Sequence, residues 1–185
     1  VESVFAEFER EPFAAASIAQ VHRARLHDGV PVVVKIRRPD IHTKIDADLR
    51  ILTHLARLME MEMPDMKRYR VVQIVGQLQR SLLRELDLAK EARNLDTFAK
   101  HFEHDDTVHI PKVYWEYCGE TVNVQEELVG IPGSQIARAE AEGFDLRLLA
   151  ARGADAVLKM ILLDGYFHAD PHPGNVIYLP GNRIG

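Results

Sequence analysis

The chain is poor in the residues that define several large classes of protein. It has one cysteine, Cys118, among 185 residues, which excludes an intrachain disulfide framework and a thiolate-rich metal site and favours a reducing compartment. Its apolar runs stay well short of the roughly 20 residues that span a bilayer, and its start does not resemble a secretory signal. Internal repeats and low-complexity segments are absent from the sequence as well.

Positive charge is also in short supply. The 23 lysines and arginines against 28 aspartates and glutamates give a formal net charge of −5, which argues against general nucleic-acid binding because such binding needs a basic face. With 46% hydrophobic and 28% charged residues, the chain can bury a core and remain soluble. Its length suits one domain or a piece of a larger one. Neither end reads as a natural terminus, so we expect a fragment.

The first part of the chain predicts strands followed by long helices. Residues 4–8 suggest a short helix or turn, and two β-rich runs on either side of residues 27–29 predict a hairpin that ends at Lys35 and Ile36. Asp40 is a plausible N-cap for the helical spacing that continues to Pro64. A second helical region runs from about residue 70 to 102 with one break.

The second part predicts a hairpin and a helix ahead of a loop. Residues 113–117 and 122–126 read as two strands about a turn, and residues 130–133 read as a hinge-like break. Apolar residues between 146 and 164 describe a buried helix, and residues 176–179 a short strand before a Gly-Asn turn. Strands come first and helices last, which predicts an α+β fold with two lobes.

The stretch richest in chemistry is residues 165–175, GYFHADPHPGN. His168, Asp170 and Asn175 follow the H-x-D-x-x-x-x-N spacing of kinase catalytic loops, in which the Asp takes a hydroxyl proton and the Asn holds a metal ion. Two prolines remove backbone donors and favour a loop over a helix. On these residues alone, an ordinary surface turn explains the stretch as well as a site does. A metal site made of His168, Asp170 and His172 is a third interpretation.

An alanine-rich segment lies upstream, at residues 14–21. It has the spacing of the kinase nucleotide loop G-x-G-x-x-G-x-V, with alanine at all three glycine positions. Alanine resists positive φ, so the backbone N–H groups of this loop should lie differently over phosphates. Taken alone, the segment predicts a helix more readily than a loop.

Lys35 lies in the β-branched run that follows. A lysine there is costly to bury unless it is paired, so it is either an edge-strand charge that discourages aggregation or a phosphate-binding ammonium held by a helix carboxylate. Glu85 and Glu91 are the candidate partners. They are six residues apart, about 600° around a helix, so only one is expected to form a buried ion pair with Lys35. For either glutamate alone, a solvated helix face is the alternative.

Together these motifs resemble the UbiB/ADCK-type (AarF) atypical kinase-like family of coenzyme Q biosynthesis. The alanine-rich loop, Lys35, the E-x-D pair Glu85 and Asp87, and the H-x-D-P-H-P-G-N loop carry the resemblance, which covers about residues 12–184. It implies a kinase-like fold, truncated at both ends, with two helices inserted between Lys35 and its helix partner. A small lobe would span about 12–128, and residues 129–185 would begin the second lobe.

The resemblance also implies a role for each matching residue. Lys35 would bind phosphates with Glu91 as its partner, Glu126 would lie in the hinge beside the adenine, and Asp170 would be the catalytic acid residue. The implied catalytic residues are Lys35, His168 and Asp170; the nucleotide-binding residues are Ala14, Ala15, Ala16, Ser17, Ala19, Val21, Lys35, Glu85, Asp87, Glu91 and Glu126; and the magnesium ligands are Asp170 and Asn175.

The function implied is that of an ATP- or ADP-binding, magnesium-dependent ATPase or phosphotransferase that supports ubiquinone or other isoprenoid-lipid metabolism. The alternative is a catalytically weak pseudokinase that serves as a scaffold for a lipid-biosynthesis complex. An ordinary Ser/Thr protein kinase is disfavoured by the alanine loop and the inserted helices. Expected partners are the nucleotide and isoprenoid lipid or lipid-biosynthesis proteins, without nucleic acid.

Two family motifs have no counterpart in these 185 residues. The K-x-G-Q motif precedes the alanine-rich loop in the family, and the D-F-G motif follows the second lobe's first strands. Without the D-F-G aspartate we expect this piece alone to be incompetent in catalysis. We expect peripheral membrane contact through the missing regions, with a cytoplasmic location at the inner membrane face of a bacterium or in an equivalent organelle compartment.

Overall fold

The computed structural model describes residues 1–15, 18–170 and 172–185, apart from the side chain of Pro64. Helices and strands are mixed in it, as the sequence predicts. The chain divides into two compact units. The first contains Val1–Ala92 and Tyr114–Val124, and the second contains Arg93–Val113 and Gln125–Gly185. Within the described ranges, no helix is both long and apolar enough to cross a membrane.

A five-stranded sheet organises the first unit. Its strands are β1 (Phe5–Phe8), β2 (Ala14–Ala15), β3 (Ala19–Leu26), β4 (Pro31–Arg37) and β5 (Val122–Glu126). Their order is β1-β3-β4-β5, with β2 also beside β3. The predicted β3–β4 hairpin is confirmed: Gly29 takes φ +86° in its turn, and Val30 N donates to Asp28 Oδ1 at 3.1 Å.

The alternation along these strands separates a core face from an outer face. Ala24 and Leu26 on β3, Val32 and Val34 on β4, and Val124 on β5 are buried together. Side chains alternate along a strand, so the residues of β4 that alternate with Val32 and Val34 face the other side of the sheet. Lys35 therefore lies on the face opposite the core.

Three helices follow β4, and the long first and third of them lie where helices were predicted. They are α1 (Ile41–Glu62), the short α2 (Pro64–Lys67) and α3 (Val71–Glu85). Asp40 occupies the N-cap position of α1, but it adopts φ +60° and makes no side-chain capping bond. The break expected in the second helical region falls at Leu86 and Asp87. Beyond this break α4 (Leu88–His101) begins. Residues 88–92 of α4 belong to the first unit.

Two local predictions in the first unit are wrong. Residues 5–8 form a strand, because they pair with β3 and stack Phe8 on His22 at 5.1 Å; tertiary pairing decides the structure of so short a segment. Residues 115–117 form a 3-10 turn rather than a strand. There the thiol of Cys118 accepts from Val124 N at 3.2 Å and donates to Tyr114 O at 3.3 Å.

The second unit combines helices with a small antiparallel sheet. Its further elements are α5 (Ile136–Ala141), α6 (Leu146–Lys159), and strands β6 (Ile131–Pro132), β7 (Ile177–Leu179) and β8 (Arg183–Ile184), in the order β6-β7-β8. The predicted Gly-Asn turn joins β7 and β8, with positive φ at Gly181 and Asn182.

Two other predictions for this unit need correction. The hinge-like break at residues 130–133 is the short strand β6. A Cβ on Gly133 would lie 2.8 Å from the carbonyl oxygen of Pro173, so glycine serves close approach there. The helix predicted as buried is buried at Leu149, but Leu162 and Leu163, in the π-helical turn Met160–Asp164, are 72% and 79% exposed. Periodicity shows which residues share a face, and it does not show whether another element covers that face.

Candidate functional site

An ion pair joins the strand lysine to the helix carboxylate in the first unit. Lys35 Nζ lies 2.9 Å from Glu91 Oε1 and 2.7 Å from Oε2, which confirms the predicted contact. The side chains are 26% and 40% exposed, so the pair is half-buried rather than buried. Two of the three ammonium donors point at Glu91, and in the part of the chain that the structure describes the third is left for a ligand.

The alanine-rich segment lies in the same sheet as this lysine. Ala14 on β2 pairs with Val21 on β3, and Val21 pairs with Lys35 on β4. Directly opposed residues of antiparallel strands share a face, so these three lie in one row on the outer face. Ala15 pairs with Gln20. The described residues at both ends of the segment therefore lie in strands, Ala14–Ala15 in β2 and residues 19–21 in β3, and for them the helical alternative is wrong.

Three other residues of the alanine-rich segment were predicted to bind the nucleotide, namely Ala16, Ser17 and Ala19. Ala19 is fully buried within β3, opposite Arg37, so its methyl packs inside the first unit. Ala16 and Ser17 lie outside the described residues. The nucleotide contacts predicted for all of these residues stay predictions.

The E-x-D pair lies where α3 gives way to α4. Glu85 is exposed at the last residue of α3, and it is not the partner of Lys35. Asp87 Oδ1 accepts from Ala89 N at 3.0 Å, which caps the first turn of the helix that carries Glu91. The nearby Leu86 carbonyl accepts from the Arg37 guanidinium at 3.0 Å. Asp87 thus helps to fix the start of the helix that places Glu91 beside Lys35. A nucleotide contact for Glu85 and Asp87 stays a prediction.

The loop around Asp170 brings two oxygen-bearing side chains together in the second unit. Asn175 Nδ2 donates to Asp170 Oδ2 and to the Asp170 carbonyl, each at 3.1 Å. This bond leaves the amide oxygen of Asn175 and the second carboxylate oxygen of Asp170 for a cation. Both side chains are exposed. Carboxylate and amide oxygens are ligands that Mg²⁺ prefers, so the donor set fits a magnesium nucleotide.

The histidines of the loop accept hydrogen bonds from its own backbone. His168 Nδ1 accepts from Asp170 N at 3.2 Å, and His172 Nδ1 accepts from Gly174 N at 3.0 Å. A neutral imidazole that accepts at Nδ1 carries its proton at Nε2, so neither ring offers a free nitrogen to a metal. Among the described residues, no group of three His, Cys, Asp or Glu is placed to hold a metal ion. The His168, Asp170 and His172 metal site is therefore not supported.

Glu126 is engaged inside the second unit. Both its carboxylate oxygens lie 3.0 Å from His109 Nε2, and Oε2 accepts from Lys112 N at 3.1 Å. Its predicted position beside an adenine stays a prediction. Sequence reasoning missed His109, since a histidine 17 residues away gives no periodic signal. It also missed Asn94, which accepts from the hydroxyl of Tyr166 at 2.7 Å across 72 residues.

Comparison with known proteins gives one consistent result. The model of the ABC1 atypical kinase-like domain matches residues 1–185. The chain is 42% identical over 176 residues to the probable protein kinase UbiB of Sodalis glossinidius, and 40% identical over 183 residues to that of Vibrio cholerae. These matches cover 95% and 98% of this chain but 32% and 34% of the relatives. The chain thus spans about a third of their length.

A solved structure is similar as well. The Mycobacterium tuberculosis protein Rv3197, determined in complex with erythromycin, matches with a TM-score of 0.80 and 30% sequence identity. The match covers 98% of this chain and 45% of that chain.

Proposed function

This chain belongs to the family of ABC1 atypical kinase-like domains, and from that premise we propose that it binds a magnesium nucleotide. The family and the kinase-like fold predicted from the motifs are thereby confirmed. In the longer protein, the proposed activity is ATP hydrolysis or phosphoryl transfer.

The Lys35–Glu91 ion pair carries the proposal. A lysine on a strand, held by both oxygens of a helix carboxylate 56 residues further on, is the arrangement that kinases use at nucleotide phosphates. The carboxylate fixes the direction of the ammonium group and pairs with it before a nucleotide binds. The lysine side chain is therefore already ordered, and little of its conformational entropy is lost when a phosphate binds. Ala14 and Val21 lie in the same row of the outer face, within reach of the same ligand.

The loop of the second unit supplies the groups for transfer. A bound magnesium nucleotide would provide the electrophilic phosphorus, and the metal would balance part of the negative charge on the phosphate oxygens. Asp170 would accept the proton of the attacking hydroxyl or water, and its carboxylate is oriented by Asn175. The ring of His168 holds the backbone N–H of Asp170 and so supports the loop. Asn175 and Asp170 would hold the cation through oxygen atoms.

The metabolic role is proposed from the names of the relatives. Those named probable protein kinase UbiB carry a name that points to ubiquinone, and we extend to this chain a role in ubiquinone or other isoprenoid-lipid metabolism. Its proposed partners are an isoprenoid lipid or proteins that make one, with peripheral membrane contact through regions outside this chain.

One observation favours a second candidate, a nucleotide-binding scaffold with little turnover. Ala14 and Ala19 replace loop glycines and lie in strands, where their methyl groups restrict how the backbone N–H groups approach a terminal phosphate.

Nucleotide turnover by the intact protein, measured in magnesium with and without liposomes, tests both candidates. Magnesium-dependent hydrolysis that Lys35→Met abolishes supports the enzyme. Tight binding without turnover supports the scaffold. A protein that binds neither ATP nor ADP would contradict both.

A further inference from the structure

The helix that leads to the catalytic loop ends in an unusual way. After α6 the chain continues as the π-helical turn Met160–Asp164, and Gly165 then takes φ +62°. The N–H of Tyr166 donates back to the Met160 carbonyl at 3.1 Å. Single π-turns are rare and occur often at functional sites. A wide turn of this kind needs a local contact to hold it.

A lysine and an aspartate at the two ends of the turn provide that contact. Lys159 Nζ lies 3.0 Å from Asp164 Oδ1 and 2.7 Å from Oδ2, and it donates at 2.8 Å to the carbonyl of His101 on α4. All three ammonium donors are thus used. The ammonium of Lys159 also lies 4.7 Å from the ring centroid of Phe102. The Asp164 side chain is 14% exposed, so water screens this pair less than a surface pair.

Tyr166, two residues after Asp164, is also held on α4. The hydroxyl of Tyr166 donates to Asn94 Oδ1 at 2.7 Å, and its ring lies 5.0 Å from Phe98 and 5.9 Å from His101. The segment 164–166 is therefore linked to α4 at two points. Lys159, the partner of Asp164, donates to the His101 carbonyl, and the Tyr166 hydroxyl donates to Asn94. His168 follows two residues later.

The leucines of this turn pack little against the described residues. Leu162 and Leu163, inside it, are largely exposed. The bonds that Asp170 and Asn175 make stay within the loop itself. The position of the loop therefore depends on the segment before it, on the close approach of Gly133 to the Pro173 carbonyl, and on Val176 after it, whose carbonyl accepts from Gly133 N at 2.8 Å.

We infer that the Lys159–Asp164 pair is a positioning element, which fixes the direction in which the chain leaves α6 and so holds the loop that contains Asp170 and Asn175. The inference rests on the proposed function of that loop. Neither residue touches the reacting groups; both act through the backbone. The buried Nδ1 of His101 lies 3.7 Å from Asp164 Oδ2 and has no hydrogen-bond partner among the described residues.

Amide hydrogen exchange in the intact protein tests the inference without requiring activity. In Asp164→Asn, the N–H groups of Asp170, Gly174 and Asn175 should exchange about tenfold faster than in the wild type, because the loop samples open positions more often. The N–H groups of Ile177 and Gly185, which bond to each other's carbonyls, serve as the internal reference and should not change.

A matched control is available in the same unit. Arg138 and Glu142 form a helix-surface pair at 2.8 Å far along the chain from the loop, and Glu142→Gln should leave all of these rates unchanged. Equal exchange of the loop amides in the wild type and in Asp164→Asn overturns the inference, whatever the nucleotide does.

A second pair of variants covers the case in which Asp164→Asn unfolds and the reference amides exchange faster too. Lys159→Arg keeps the charge and the donors, and Lys159→Met removes both. The arginine variant keeps a cation beside Asp164 and should stay closer to the wild type than the methionine variant, which should show the tenfold increase. Equal rates in the two variants overturn the inference.

Nucleotide measurements separate this inference from the proposed function. If the loop is mispositioned and the Lys35 region is intact, Lys159→Met should lower turnover about tenfold and leave the dissociation constant for magnesium ATP unchanged. Lys159→Arg should restore most of the turnover. A wild type that binds no magnesium ATP contradicts the proposed function, and the exchange comparison still decides the positioning inference. A parallel loss of turnover in both lysine variants counts against positioning.

Discussion

Val21 stands directly opposite Lys35 in the antiparallel register of β3 and β4. Ala14 stands opposite Val21 on the next strand. Since adjacent strands are about 4.8 Å apart, the Ala14 methyl lies roughly 10 Å across the sheet from the lysine backbone, on the same face. A phosphate chain bound at Lys35 can therefore reach the alanine-rich segment.

The first prediction concerns this alanine. Ala14→Gly should tighten ATP relative to ADP, because the glycine backbone can turn its N–H groups toward a terminal phosphate that the methyl keeps away. Stability should fall by roughly 0.4–1 kcal/mol from the added freedom of the unfolded chain. Paired ATP and ADP dissociation constants in magnesium give the ratio.

Ala24→Gly is the control, since Ala24 lies in β3 on the core face. It should lose stability and keep the wild-type ratio. An unchanged ratio in Ala14→Gly would make this alanine a packing residue without influence on nucleotide preference.

The second prediction concerns the ion pair. Lys35→Met should weaken nucleotide binding by roughly ten- to a hundredfold, because a charge-assisted bond to phosphate is lost. It should cost only about 1 kcal/mol of unfolding free energy, since the 40% exposed Glu91 keeps access to water. Isothermal titration and urea unfolding measure the two effects. Lys44→Met, at an exposed position of α1, should change neither, and wild-type affinity in Lys35→Met would remove the basis of the proposed function.

The third prediction concerns the catalytic loop. Asp170→Asn should abolish turnover in the intact protein, because the proton acceptor is lost. It should weaken nucleotide binding far less than Lys35→Met does, because the phosphate-binding lysine is untouched and an amide oxygen can still face the cation. Asn175→Ala should raise the magnesium concentration needed for half-maximal turnover. Steady-state rates over a magnesium series measure both.

Histidine substitutions check the roles within that loop. His168→Asn retains an acceptor for the backbone N–H of Asp170 and should keep more activity than His168→Ala. Stoichiometric zinc in the purified protein, lost in His172→Ala, would contradict the magnesium assignment.

The fourth prediction is a pH dependence of stability. The Thr107 hydroxyl donates to Asp105 Oδ1 at 2.6 Å, and this bond, with weaker help from Lys159 and Arg152, holds the pKa of the Asp105 carboxyl below its ordinary value. A depressed folded pKa stabilises the native state above the ordinary carboxyl pKa of about 3.9. That stability is lost as the pH falls through the lower, folded value.

Thr107→Val should therefore lower the free energy of unfolding by about 1 kcal/mol at pH 7, and the difference from wild type should shrink below pH 4. Urea unfolding at pH 7, 5 and 3 follows it. Thr97 provides the control, because its hydroxyl donates to the Arg93 carbonyl at 3.0 Å. Thr97→Val should show no such pH dependence, and a Thr107→Val difference that is constant with pH would contradict the assignment.

The sequence was most informative where one local rule decides the structure. Helical spacing predicted α1 and α3, and the Asp-Gly turn predicted the β3–β4 hairpin. The charge of Lys35 within an apolar strand required a partner, and Glu91 is that partner 56 residues away. The cost of burying a charge thus predicted that Lys35 has a carboxylate partner, and the family resemblance favoured Glu91 over Glu85.

Contacts that no local rule requires were missed. Lys159 and Asp164 form a pair only because the end of α6 opens into a π-turn, and Tyr166 finds Asn94 only through the tertiary fold. The exposed Leu162 and Leu163 were missed for the same reason. The periodic spacing of apolar residues predicts a helix face, but it does not show whether another element covers that face. At Phe5–Phe8, pairing with β3 decided a conformation that four residues leave open.

Cys118 gives the first unit a built-in reporter. Its sulfur joins Tyr114 to Val124, and it is the sole thiol in the sequence. A thiol-specific reagent can therefore modify this chain at one atom only, and its rate should rise when the 114–124 segment detaches from its neighbours. Mass spectrometry of the labelled product would thus time a sub-global opening of one half of the molecule, without an engineered label and without a signal from the other half.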